Sequence, residues 1–154
     1  MLINIRQTDS TLLPEIRKYG CLFLCFAQSS PTVFAGYSGA IELNALWKEA
    51  VKTGIITGDL NGDGDVDDDG EAIIADHNRL ANEIFRMNVK YDGKHHGANE
   101  LVPDNVKFVF GEYKYNSSHF VVLNKLKSVI LDPYGSSNTV RNGKLVSMRW
   151  YYAE

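Results

Sequence analysis

The sequence predicts an α+β domain, with helices first and an antiparallel sheet after them. Three observations carry that expectation. The first half holds stretches with apolar residues at helical spacing, the second half holds β-branched and aromatic runs of strand length, and the breaks between those runs are short enough for hairpins. With 154 residues, 44% hydrophobic and 23% charged, the chain suits one domain over 1–154 with a core of its own and has no room for a second of ordinary size.

Leu2-Ile3-Asn4-Ile5 reads as a short strand that ends at Gln7-Thr8-Asp9. Thr11 to Lys18 is a helix or turn segment containing Pro14, and Tyr19-Gly20 punctuates it. The eight-residue run Cys21-Leu22-Phe23-Leu24-Cys25-Phe26-Ala27-Gln28 has the length of a buried strand, but starting directly after a glycine it is read as a central core helix. Ser30-Pro31 ends it. After a Gly-rich loop, Ile41 to Lys52 places Leu43, Leu46, Trp47, Ala50 and Val51 on one face of an amphipathic helix, stopped by Gly54.

Gly58 to Gly70 is a Gly/Asp loop leading to a second amphipathic helix over Glu71 to Arg86, with Ile73, His77, Leu80, Ala81 and Ile84 on one face. These two helices and their loop form a hairpin over about 41–86. Asn88 to Asp104 is polar and irregular, with turns at Asp92-Gly93 and Gly97. Val106 to Tyr115, Phe120 to Leu123, Val129 to Leu131 and Leu145 to Tyr152 are the strands of the sheet.

Composition excludes several function classes. No apolar stretch approaches the roughly 20 residues of a membrane span, and the opening Met1 to Arg6 is too short-coated in apolar residues for a signal peptide. A cytoplasmic protein, or one released without a signal peptide as phage proteins are, is expected. Seven of the 19 acidic residues fall between Asp59 and Glu71, which leaves 16 basic against 12 acidic elsewhere. No basic cluster interleaves with aromatics, so no nucleic-acid partner is expected. Cys21 and Cys25 lie four apart in one apolar segment, which makes two reduced thiols rather than a disulfide framework.

The chemistry concentrates where two apolar strands each carry one proton-handling residue. His119 opens the run Ser117 to Leu123, and Asp132 closes the run Ser128 to Asp132 before Pro133-Tyr134-Gly135. A hairpin through Asn124 to Lys127 pairs these strands antiparallel, so the start of one lies beside the end of the other and His119 meets Asp132. A histidine oriented by a carboxylate is two thirds of a nucleophilic triad. The nucleophile expected is Cys21, because a thiol attacks as thiolate and a helix N-terminus beside an imidazolium stabilises that anion. Cys25, one turn further in, is expected to be apolar filler. Taken singly, each residue has an ordinary structural explanation; the order Cys, His, Asp with these flanks is what points to catalysis. His95-His96 is expected to be solvated and His77 to be a hydrogen-bonded core histidine.

Gly20-Cys21-x-x-x-Cys25 on an apolar helix, with His119-Phe120-Val121-Val122 and Leu131-Asp132-Pro133, resembles the papain-like cysteine peptidase superfamily. Within it the likeness is to bacteriocin-leader-processing peptidases and to bacterial and phage cell-wall hydrolases, and it covers three patches of the chain. The resemblance implies a papain-like fold, with the Cys21 helix packed on the sheet. It also implies hydrolysis of an amide in a peptide or peptidoglycan peptide, and an oxyanion donor from a glutamine upstream of the cysteine, here Gln7.

Asp59-Leu60-Asn61-Gly62-Asp63-Gly64-Asp65-Val66-Asp67 resembles the calcium loop of EF-hands and dockerins. By that pattern Asp59, Asn61, Asp63 and Asp67 bind through side chains and Asp65 offers its carbonyl. Gly70 occupies the twelfth position, flanked by Asp69 and Glu71; Glu71 serves as the anchor only if the loop is one residue longer than usual, and without a bidentate anchor affinity is expected at the weak end, about 10⁻⁴–10⁻³ M. Calcium would be structural, because an oxygen-ligated hard cation does not activate a thiol and seven crowded carboxylates need a counter-charge.

The function expected is a cysteine peptidase or amidase using Cys21, His119, Asp132 and Gln7. Two rivals remain: a catalytically inactive, calcium-stabilised binding protein on a papain-like fold, and a transglutaminase-like acyltransferase with the same triad.

Overall fold

The computed structural model describes residues 6–33, 36–58 and 73–154. The expected strand at 2–5 and the acidic loop, including every expected calcium ligand from Asp59 to Glu71, lie outside the described residues.

The first three helices are α1 (Pro14–Tyr19), α2 (Cys21–Ser29) and α3 (Gly36–Lys52). Pro14 sits at the first helical positions of α1, where its missing N–H costs nothing. α2 is apolar all round, and a helix with no polar face is stable only when enclosed. Phe23 through Ser29 are accordingly buried. Leu43, Trp47, Ala50 and Val51 of α3 join the same core, as their spacing predicts. The helix begins earlier than Ile41 and takes in part of the expected Gly-rich loop.

The second amphipathic helix differs from expectation. Ile73 to Asp76 are not helical: Ile74 bridges Ile56, Thr57 N–H donates to the Ile73 carbonyl and Ala75 N–H to that of Ile55. The helix α4 starts at His77 (His77–Arg79), after Asp76 caps it through a bond from Arg79 N–H, and continues as a π-helical turn over Leu80–Ile84. The extended pairing outcompetes the helix because it satisfies these backbone groups at the place where Ile55 and Ile56 are buried.

Among the described residues the sheet has six antiparallel strands: β1 (Val89–Tyr91), β2 (His96–Gly97), β3 (Val106–Lys114), β4 (Ser118–Leu123), β5 (Val129–Leu131) and β6 (Lys144–Ala153). Their order is β1-β6-β3-β4-β5, with β2 also on β6. The four expected strands are present. β1 and β2 fall in the segment expected to be irregular, because three and two residues are too few to show an alternation. A short helix α5 (Asn138–Asn142) precedes β6.

Side-chain alternation divides the core in two. Phe110, Val122 and Tyr151 face the helices in the larger cluster, and Val109, Val121, Leu123, Met148 and Trp150 form a second cluster. The element order and layering are α+β, as the sequence predicts. Among the described residues no helix is long and apolar enough to cross a membrane.

Candidate active site

The hairpin between β4 and β5 turns at Asn124 to Lys127. Lys127 N–H donates to the Asn124 carbonyl, Asn124 N–H to that of Ser128, and Lys127 adopts a left-handed φ of 67°. Val122 pairs with Leu131 and Leu123 with Val129. Continued past β5, that register sets Asp132 diagonally across from His119 and Tyr134 directly opposite it, within reach of long side chains. Both contacts are present: His119 Nε2 lies 2.6 Å from Asp132 Oδ1, and the His119 ring stacks on Tyr134 with centroids 4.6 Å apart.

Asp132 is held from every side. Oδ1 also accepts the Tyr134 N–H at 2.8 Å, and Oδ2 accepts the Ser137 hydroxyl at 2.9 Å. Ser137 in turn caps α5 by accepting the Val140 N–H, so its proton is committed to Asp132. Gly135 N–H closes the turn on the Asp132 carbonyl at 2.7 Å. His119 and Asp132 are 3% and 6% exposed. Burial favours the neutral acid of Asp132, but bonds from His119, the Tyr134 N–H and Ser137 outweigh it and hold the carboxyl below its ordinary value.

Burial likewise opposes charge on His119, yet the bonds to Asp132 and Cys21 prevail and push it from 6.5 up to about 9. Cys21 is close enough to share in that rise, through hydrogen bonding and charge. Nε2 is the ring nitrogen taken by Asp132.

Cys21 is half-buried at the first position of α2, and Cys25 is fully buried. Burial pushes the Cys25 thiol well up, with Cys21 and Asp132 adding to the effect, which separates the inert thiol from the accessible one. Gly20 is required before Cys21: a Cβ there would collide with the Ile16 carbonyl oxygen, which the Gly20 N–H approaches at 2.8 Å.

Gln7 is 1% exposed, and its backbone N–H donates to the Pro133 carbonyl at 2.7 Å. Its side-chain amide donates to the carbonyls of Ile16 at 3.2 Å and Arg17 at 3.0 Å. The Arg17 carbonyl is the one the Cys21 N–H would take if α1 ran on into α2. Gln7 occupies it instead, and the Cys21 N–H has no acceptor among the described residues. Both amide hydrogens of Gln7 are engaged, so in this arrangement Gln7 is a brace that leaves the Cys21 N–H unpaired. Donating to an oxyanion itself, as the resemblance implies, requires those bonds to break.

The other histidines divide. His77 Nδ1 pairs with the Tyr151 hydroxyl at 2.8 Å and its ring stacks on Tyr91. Burial, then the Arg149 and His95 charges, lower it to about 4, in keeping with a hydrogen-bonded core histidine. His96 departs from the solvated loop expected. It is buried, with Nε2 2.7 Å from Asp92, Nδ1 3.2 Å from Glu100 and its ring stacked on Trp150. Pairing of β2 with β6 draws it in.

The residues that sequence reasoning missed are Tyr134, Ser137 and Arg149. The first two act through a turn whose geometry no periodicity encodes. Arg149 had a visible signal, a cation inside the apolar run Leu145 to Tyr152. Among the described residues no group of three or more His, Cys, Asp or Glu side chains is arranged to hold a metal.

The site and fold define an α+β protein in which a buried imidazole–carboxylate pair lies near a half-buried thiol at the start of a helix. The chain belongs to the family described as "Protein of unknown function, DUF261", whose model matches residues 1–153. No curated protein and no solved structure matches it.

Proposed function

We propose that the protein is a thiol-dependent amide hydrolase of papain-like type, a cysteine peptidase or amidase acting on a peptide or peptidoglycan peptide. One observation carries the reading: buried His119 bonds Asp132 at 2.6 Å, with Cys21, at the first position of α2, near enough to help hold the imidazole charged. Cys21 Sγ attacks the carbonyl carbon, and the thiol proton passes through His119 to the leaving amine as the C–N bond breaks. Water then attacks the thioester, gives its proton to His119, and releases the acid and the thiol. The unpaired Cys21 N–H at the start of α2 supplies an oxyanion donor, a contact worth roughly 2.7–4 kcal/mol in a serine enzyme. Asp132 fixes the tautomer and stabilises the imidazolium.

The segment from Asp59 to Glu71 is proposed to order around a calcium ion held by Asp59, Asn61, Asp63, Asp65, Asp67 and Glu71. Its role is structural, and no step of the reaction passes through it.

Incubation with cross-linked peptidoglycan fragments and with a mixed peptide library, followed by mass spectrometry, tests the reading. New amino and carboxyl termini are expected with the wild type and none with Cys21→Ala. Cleavage that survives Cys21→Ala contradicts the assignment.

A further inference from the structure

A cavity of about 360 Å³ opens at Cys21, walled by the apolar side chains of Leu22, Phe23, Trp47, Ile74 and Phe120 and by Arg149. Arg149 stands in β6 opposite Phe110 and is only 6% exposed. Its guanidinium lies 5.3 Å above the Phe120 ring and donates through Nη1 to Ser147 Oγ at 2.8 Å. The Ser147 proton goes to Glu112 Oε1 at 2.7 Å, so Arg149 meets a neutral lone pair there. Glu112 also borders the cavity but reaches Arg149 only through that hydroxyl.

Among the described residues no carboxylate forms an ion pair with Arg149, and its other N–H groups make no bond. A buried cation whose nearest carboxylate among the described residues, Glu112, reaches it only through a hydroxyl is under-compensated, which is costly. One kept in the wall of the nucleophile's own cavity is explained by an anion that arrives with the substrate.

We infer that the substrate carries a carboxylate, gripped by Arg149, on a group whose apolar part fills the cavity beside the reacting carbonyl. The inference rests on the proposed thiol chemistry, which makes this cavity a substrate cavity. A planar guanidinium suits a carboxylate through two parallel bonds. A single cation with Glu112 nearby suits a monoanion better than a phosphate dianion.

The probes are bromoacetyl-glycine, bromoacetyl-β-alanine and bromoacetyl-γ-aminobutyrate, each against its carboxamide. Cys21 displaces bromide from all of them, and the three lengths step the carboxylate outward from the alkylated sulfur. At the best length the carboxylate is expected to react about tenfold faster than its carboxamide, from the strength of a charged hydrogen-bonded pair. The preference, taken as the ratio of carboxylate to carboxamide rates within each variant, should fall to within about twofold in Arg149→Gln and partway in Arg149→Lys. Labelling of buried Cys25 reports any variant that fails to fold, and the wild-type series then decides alone.

A ratio near one at every length overturns the inference, as does a preference that survives Arg149→Gln, which would assign it to the His119 imidazolium. Both leave the thiol chemistry standing. Carboxamide reaction at Cys21 no faster than with a free thiol overturns the proposed function, and this inference with it.

Discussion

Asp132→Asn separates the shape of the site from its charge. Asparagine keeps an oxygen where Oδ1 accepts from His119 and the Tyr134 N–H, and its amide can donate to Ser137 where Oδ2 accepted. The charge is lost. At about 1.4 kcal/mol per pH unit, keeping His119 protonated up to about 9 rather than 6.5 is worth on the order of 3 kcal/mol. A charge-assisted bond is roughly twice as strong as a neutral one, so the substitution removes roughly half of that and leaves burial less opposed. His119 should then titrate at least about one pH unit lower. The assay is an NMR titration of the His119 ring in wild type and variant. The stability side has a definite sign: His119 is raised in the fold, so its contribution is complete below 6.5 and is lost as pH rises through about 9. The wild type's advantage over Asp132→Asn in denaturant unfolding should therefore shrink between pH 6.5 and 9. An unmoved His119 titration in the variant refutes the coupling.

Other outcomes follow from neighbouring groups. His77, held down at about 4 by burial first, contributes stability that is complete above 6.5 and lost as pH falls toward 4. Urea unfolding of His77→Gln should therefore show a flatter acid limb over that range. Gly20→Ala forces a methyl against the Ile16 carbonyl and should cost about 1–3 kcal/mol, with slower labelling of Cys21. Ser137→Ala removes both a bond to Asp132 and the cap of α5, costing about 1–2 kcal/mol by thermal unfolding. Calcium at ten times its Kd should stabilise the protein by about 1.4 kcal/mol, a rise in Tm reversed by chelation and absent in Asp63→Ala.

Some of this arrangement can be read from the chain and some cannot, for physical reasons. The His119–Asp132 contact is available because a four-residue hairpin between two apolar runs fixes register, and register fixes neighbours. Cys21 is available because a glycine followed by an all-apolar run of helical length gives a buried helix with its first residue at the free end. Gln7 is different: its partners are the backbone carbonyls of Ile16 and Arg17, which any residues would offer, so its bracing role depends on where α1 ends. The burial of His96 is not legible because it comes from a two-residue strand pairing with β6, a tertiary event with no local pattern. Ile73 to Asp76 are likewise drawn out of the expected helix by the pairing of Ile74 with Ile56.

The central claim is that His119 activates Cys21. Its most direct test is the rate at which iodoacetamide labels Cys21 at pH 6, set against free cysteine and against the His119→Gln variant, with buried Cys25 as a check that the protein stays folded. Labelling at least about tenfold faster than free cysteine, lost in His119→Gln, is the predicted result. A Cys21 that reacts no faster than free cysteine, or whose rate His119→Gln leaves unchanged, contradicts it.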